Sequence, residues 1–275
     1  MTGSEGPSPG GRHVVVSGAG SGIGRAIALR FAADGDRLTV LGRRAEPLEE
    51  TLTLAALGEG RGLAVACDLR DASAVSGALE AAAAALGTVD VVVANAGIGG
   101  PNGPCFQEEG TEDRFDDLVS TNLGGTYRLF RSALEHLTPE DPEAHGGGPR
   151  RHLVAVSSIL ARIGVAGYSG YCASKAGVSG LVRALAAELA PLHVQVNAVA
   201  PGWVDTDMAR EGLDGMAAAM GVDREAALAV AMQAVPLGRM GRPEEVAGLV
   251  AWLTSPDAQG VTGQTMDMNG GAHMS

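Results

Sequence analysis

From residue 12 onward the chain alternates short β-branched runs with longer stretches rich in alanine and leucine, the pattern of strands followed by crossover helices. The runs predict strands at residues 13–17, 37–41, 62–66, 89–94, 152–157, 194–199 and 265–268. Their apolar positions are continuous rather than alternating, as expected when helices cover both faces of a parallel sheet. Helices are predicted to start near Ser21, Pro47, Ala72, Thr111, Ser169, Arg224 and Pro243. Pro47 and Pro243 then sit in first turns, where a missing N–H costs little. The expected fold is a single α/β domain over residues 12–275, with a doubly wound parallel sheet of about seven strands flanked by helices.

Three segments break this rhythm. Residues 1–11 read as a disordered tail. Residues 138–151, TPEDPEAHGGGPRR, hold too much proline and glycine for a helix and read as an exposed surface insertion. Residues 205–240 are rich in methionine and alanine and follow the carboxyl end of a strand, the side on which ligands bind open α/β sheets. They are expected to form a small helical substrate lid, with a purely structural helical insertion as the competing reading.

Composition narrows the function classes. The 45% apolar content of 275 residues fills a large core, and the formal charge of -12 would repel a phosphate backbone, so nucleic acid is not an expected partner. Cys67, Cys105 and Cys172 lie far apart without a CxxC pair, which gives neither a disulfide framework nor the ligand spacing of a zinc site. No metal is expected. The N-terminus lacks an apolar signal region and no stretch reaches the ~20 apolar residues of a bilayer span, so a cytoplasmic protein without a membrane partner is the expectation.

The run VVVSGAGSGIGRAIA places Gly18, Gly20, Gly22 and Gly24, with Ser21 and Ile23 among them, between the first strand and the first helix. Glycines there let the backbone and the helix N-terminus approach a pyrophosphate, which the helix dipole and unpaired N–H groups favour. An Asn95-Ala96-Gly97 turn after the fourth strand strengthens a Rossmann-type dinucleotide reading.

Tyr171 and Lys175 lie four residues apart, on one face of a predicted helix. A neighbouring ammonium stabilises phenolate, so the Tyr171 pKa is expected to fall from about 10 toward working pH. Such a pair taken alone is more often an ordinary exposed helix pair, and its context decides.

These segments resemble the compact branch of the short-chain dehydrogenase/reductase family, over essentially all of the folded chain. Ser17 stands where the family's TGxxxGxG motif has threonine, keeping the hydroxyl. The resemblance implies that Asp68 and Leu69 hold adenine, that Asn95, Ala96 and Gly97 lie beside the cofactor, and that Pro201, Gly202, Val204 and Thr206 line the nicotinamide. It further implies a catalytic set of Asn122, Ser158, Tyr171 and Lys175. Ser158, 13 residues before Tyr171, would bind the reacting oxygen, and Lys175 would also hold the nicotinamide ribose. Asn122, inside a predicted helix from about residue 111 to 136, would kink that helix and support a proton relay. Ser157 and Tyr168 compete for two of these roles and read better as packing or pocket-edge residues. Asp205 and Asp207 read as solvated. The family's usual assembly is a homotetramer, with a dimer next.

Leu41-Gly42-Arg43-Arg44 ends the second strand without a carboxylate to accept a ribose 2′-hydroxyl, while Arg43 suits a 2′-phosphate. NADP is favoured and NAD stays open, since arginine also stacks on adenine. Arg44 reads as a solvated residue at a helix start. The implied activity is hydride transfer between nicotinamide and a ketone or secondary alcohol, with Tyr171 as acid and base. QAVPLGRMGRPEE, from Gln233 to Glu245, resembles ketoacyl reductases. Met208, Met216, Met220, Met232, Ile159, Trp203 and residues 99–106 suggest an apolar substrate pocket, although methionines also serve as adaptable packing. Small ketones, secondary alcohols and short acyl ketones are all admissible, with net acidity weighing against an acidic carrier protein. Two rivals are a catalytically silent dinucleotide sensor, which the complete Asn, Ser, Tyr and Lys set opposes, and a sugar-modifying relative, which would need TGxxGxxG spacing.

Overall fold

A computed structural model of the protein describes residues 11–103, 113–137 and 151–274. The tail at residues 1–10, Cys105, the expected helix start at Thr111, and the insertion at residues 138–150 lie outside the described residues.

The first half reads β1 (His13–Ser17), α1 (Gly22–Ala33), β2 (Arg37–Gly42), α2 (Ala45–Ala55), β3 (Gly62–Ala66), α3 (Ala72–Leu86) and β4 (Val91–Ala94). The second half reads α4 (Phe115–Val119), α5 (Gly125–Ala133), β5 (Arg151–Val156), α6 (Ser169–Leu189), β6 (Val194–Pro201), α7 (Asp207–Met220), α8 (Arg224–Gln233), α9 (Pro243–Leu253) and β7 (Thr265–Met268). All seven expected strands are present, in one sheet of order β3-β2-β1-β4-β5-β6-β7 with every pairing parallel.

The continuous apolar runs follow from two covered faces. Successive side chains point to opposite sides of a strand. Val14 and Val16 therefore join Leu38, Val40, Val91 and Val93 against α1, α2 and α9, through Ile27, Phe31, Leu48, Val250 and Leu253. Val15 joins Leu41, Val92, Leu153 and Val196 on the other face, against Leu79 of α3, Leu129 and Phe130 of α5, and Val178 and Val182 of α6. Each fully buried Leu, Ile or Phe contributes about 1.5–3 kcal/mol relative to exposure.

Some boundaries move. β4 begins at Val91, because Val89 makes only an isolated bridge to Leu137. β6 runs on to Pro201, whose neighbour β7 holds the edge. α2 starts at Ala45, which puts Pro47 at its third residue, still within the turn that lacks N–H partners. The expected long helix around Asn122 is interrupted: α4 passes through a π-turn at Ser120–Gly124 before α5. The Met- and Ala-rich segment folds as two helices, α7 and α8.

The order of strands reverses between β1 and β4, both of which leave the sheet at their carboxyl ends toward opposite sides. Such a switch point opens a crevice for a ligand.

Candidate functional site

The glycine turn, the turn at residues 95–97, Ser158 and residues 202–206 follow the carboxyl ends of β1, β4, β5 and β6. Gly18 has φ +66°, a left-handed backbone that L side chains rarely adopt, and a methyl there would lie 2.7 Å from Ala96 Cα. Gly24 leaves no room either, since a methyl would lie 2.2 Å from the Gly18 carbonyl oxygen. The turn thus brings β1, the start of α1 and the β4 loop into backbone contact. Ser17 Oγ donates to Val93 O (3.3 Å) and accepts from the N–H groups of Asn95 and Ala96, both at 3.1 Å. Asn95 Nδ2 returns bonds to the carbonyls of Ser17 and Gly18 at 3.1 and 3.2 Å. The hydroxyl that serine shares with threonine is therefore what joins the two loops.

Ser21 precedes α1 but makes no side-chain cap, so the positive end of the helix at Gly22, Ile23 and Gly24 is left for a ligand anion. Thr206, which caps α7 through Ala209 N, faces Gly22 from across the crevice. Beside the glycine turn a cavity is lined by Gly18, Arg43, Asp68, Leu69, Ala96 and Gly97. Arg43 stands exposed at its rim, and Arg44 is the exposed N-cap position of α2. A glycine cradle, an uncapped helix and a cation beside a carboxylate form a donor set that fits a dinucleotide.

Sequence reasoning missed Arg70. It grips the Asp68 carboxylate with Nη2 at 2.8 Å and Nε at 3.1 Å, and this bond holds the Asp68 pKa below its ordinary value, with Arg43 adding a smaller pull. The signal was the i to i+2 spacing in Asp68-Leu69-Arg70, too short to be read as a helix pair. Asp68 is thereby fixed in its charged form at the cavity wall.

The reactive-group candidates converge on the opposite side. Ser158 lies two residues past the end of β5, capping the short turn at Ile159–Ala161, and is almost fully buried. Its hydroxyl accepts from Leu160 N at 3.2 Å and lies close enough to the Tyr171 phenol to favour the phenolate. Tyr171 and Lys175 share one face of α6, with Lys175 Nζ 5.7 Å from the Tyr171 ring centroid. Nζ is buried and donates to Val156 O at 2.8 Å, and burial lowers the Lys175 pKa to about 8. Ser157, the competitor, spends its hydroxyl on Lys175 O at 3.0 Å, a packing role. Tyr168 is the half-buried N-cap position of α6.

One expectation is reversed. The Tyr171 pKa is raised, not lowered, because burial outweighs the pull of the Ser158 hydroxyl, and Cys172 and Tyr168 add to the rise. The phenol is held in its proton-bearing form.

Asn122 lies in the π-turn, buried. Its Oδ1 accepts from Ile98 N at 2.8 Å, and its Nδ2 donates to Ile98 O at 3.0 Å and Ser174 Oγ at 3.1 Å. A π-turn points this side chain where a regular helix would not, and such turns cluster at functional sites. A methyl on Gly97 would lie 3.0 Å from Asn122 Oδ1 and 3.5 Å from Lys175 Nζ, which places both beside the β4 loop. Below them, Gly202 N donates to Met268 O, and Val204 forms a bridge with Gly241 that carries the strand end past Pro201. Asp205 and Asp207 are exposed and both pair with Arg210, as solvated residues do. No group of three metal-ligating side chains occurs among the described residues, and no helix among them is long and apolar enough to cross a membrane.

The family model described as Enoyl-(Acyl carrier protein) reductase matches residues 18–273. The chain is 35% identical to the Short-chain reductase protein NovJ of Streptomyces niveus over 94% of its own length and 92% of that protein's. It is 38% identical to the 3-oxoacyl-[acyl-carrier-protein] reductase FabG of Pseudomonas aeruginosa, covering 96% of this chain and 98% of the relative. Among solved structures, a variant of actinorhodin polyketide ketoreductase with NADPH aligns with a TM-score of 0.86 at 33% identity, over 97% of this chain and 99% of that one. None of these relatives supports the silent-sensor alternative. The chain belongs to the short-chain dehydrogenase/reductase family and is an NAD(P)-dependent oxidoreductase acting on a carbonyl–alcohol pair.

Proposed function

We propose that the protein is an NADPH-dependent ketoreductase in which Ser158 and Tyr171 bind the carbonyl oxygen and Tyr171 protonates it. The observation that carries this reading is the Ser158–Tyr171 hydroxyl pair beside the buried Lys175, at the carboxyl edge of the sheet.

Gly18, Ser21, Gly22, Ile23, Gly24, Asn95, Ala96 and Gly97 would hold the pyrophosphate and inner ribose, with Asp68 and Leu69 at adenine and Pro201, Gly202, Val204 and Thr206 under the nicotinamide. When bound, the reduced nicotinamide supplies the hydride. Two hydroxyl donors aimed at one oxygen stabilise the negative charge that develops there. Tyr171 is proton-bearing at neutral pH, as a general acid must be, and Lys175 with a pKa of about 8 is largely an ammonium, stabilising the phenolate that remains. Asn122 ties the β4 loop to α6 through Ile98 and Ser174, next to the lysine that faces the phenolate to be reprotonated.

The sign of the pH response follows. Lys175 loses its charge as pH rises through about 8, so kcat/KM for reduction is expected to stay level below that value and fall above it. A pH-rate profile with saturating cofactor checks this.

Arg43 at the cavity rim supports NADPH over NADH, as does the NADPH in the actinorhodin ketoreductase structure. Charge-assisted bonds to a phosphate contribute about 1.5–3 kcal/mol, so Arg43→Glu is expected to raise KM for NADPH about ten- to hundredfold and leave KM for NADH within about threefold. Steady-state kinetics with both cofactors decides, and equal effects on the two would remove the 2′-phosphate role.

The substrate side is apolar. Met208 Sδ would lie 3.0 Å from a methyl on Gly99, so α7 touches the β4 loop across the mouth of the site. We take α7 and α8 as the lid, over a 3-oxoacyl thioester or a cyclic or acyclic ketone. The names of the curated relatives favour 3-oxoacyl substrates, whereas the description of the family model favours reduction of an enoyl C=C, which is the second reading. A panel of 3-oxoacyl and enoyl thioesters assayed for NADPH consumption separates them. Half-exposed Phe115 and Tyr127 and the rim residue Leu134, on α4, α5 and the turn after it, support self-association as a homotetramer, and light scattering on the purified chain tests it.

A further inference from the structure

Asn102 lies in the loop that leaves β4, outside any motif, and is buried with 7% of its surface exposed. Its side chain acts on a helix distant in sequence. Oδ1 accepts from Gly170 N at 2.7 Å, and the amide lies 3.1–3.3 Å from the Ser169 hydroxyl. Its own N–H donates to Gly167 O at 2.8 Å, and Nδ2 also reaches Gly103 O at 3.4 Å. These contacts fall on the first residues of α6, whose N-cap position, Tyr168, makes no side-chain cap.

A helix start needs an acceptor for the N–H of its second or third residue, normally from the residue just before the helix. Gly170 is the second residue of α6 and Tyr171 the third. Asn102 supplies that acceptor from another loop. The same loop is pinned at its other end by Asn122 through Ile98, and between the two anchors Gly99 faces Met208 of α7.

We propose that Asn102 is a positioning residue that caps α6 from the β4 loop and so holds the Tyr171 phenol in register with Ser158. The inference rests on the reading of Tyr171 as the proton donor. α6 is 21 residues long and buries Val178, Val182, Ala186 and Leu189, so loss of one cap leaves the helix in place and loosens its first turn. Lys175, one turn deeper and tied to Val156 O, stays where it is. The expected signature is a change in turnover without a change in cofactor binding.

The test compares Asn102→Ala, Asn102→Asp and Tyr171→Phe with the parent protein, by kcat, KM, NADPH Kd from fluorescence, and thermal midpoint. Misplacement of a reacting group by about an ångström costs up to roughly a hundredfold, so Asn102→Ala is expected to lose about ten- to hundredfold in kcat with NADPH Kd within about twofold. Asn102→Asp keeps an oxygen acceptor at the same position and is expected to retain kcat within about threefold. The proposal is overturned by an alanine variant that keeps parental kcat while Tyr171→Phe is dead, by an alanine variant whose NADPH binding falls as far as its kcat, or by a folded aspartate variant tenfold slower than the parent. An alanine variant that does not fold leaves the aspartate comparison to decide. Activity retained by Tyr171→Phe would instead sink the proton-donor reading itself.

Discussion

Tyr171→Phe is expected to lower kcat for carbonyl reduction by about three orders of magnitude, within the ~10²–10⁴ range for a lost general acid. The ring stays, so the packing of α6 around it should survive, and NADPH binding should change by less than about threefold. What disappears is the proton that burial keeps on the phenol and the hydroxyl that sits beside Ser158. Single-turnover kinetics with pre-bound NADPH separate this loss from any change in product release. A phenylalanine variant with more than a tenth of parental kcat would assign the proton to another donor.

Lys175→Met should be nearly as damaging to turnover, by about a hundred- to thousandfold in kcat/KM, because it removes the cation that stabilises the phenolate. It should act differently on the fold. The ammonium is buried against Val156 O, and its lowered pKa records the cost of that burial. Methionine has a similar length and no charge to desolvate, so the thermal midpoint is expected to hold or rise while activity collapses. Lys175→Arg keeps the charge but brings a larger planar group into a site sized for a compact ammonium, and should not restore the rate. A large fall in midpoint for the methionine variant would mark Lys175 as a structural residue first.

The sheet was legible because its cause is local. Two covered faces demand unbroken runs such as Val14-Val15-Val16 and Val91-Val92-Val93, whose shortness and β-branched valines mark them as strands. The glycine turn was legible for the same reason, since φ +66° at Gly18 and the lack of space at Gly24 tolerate little else. The π-turn at Asn122 was expected only as a kink implied by resemblance, because its register depends on Ile98 and Ser174, both remote in sequence. Asn102 was read only as part of the 99–106 pocket loop, and Arg70 not at all. Each acts through a partner that pattern reasoning does not pair with it, Gly170 across the fold and Asp68 within a turn. The Tyr171 pKa went the wrong way in the sequence reading because spacing reports a neighbouring charge and says nothing of burial, which here is the larger effect.

The most direct test of the account follows the hydride. The protein is incubated with NADPH carrying deuterium at the transferable position of nicotinamide C4 and with a matched pair of thioesters, one 3-oxoacyl and one enoyl. Mass spectrometry and NMR of the products then locate the label. The account predicts deuterium on the carbinol carbon of a 3-hydroxyacyl product, lost with Tyr171→Phe, and none in the enoyl sample. Label on a former alkene carbon, or a carbinol label that persists at parental rate in Tyr171→Phe, would contradict it.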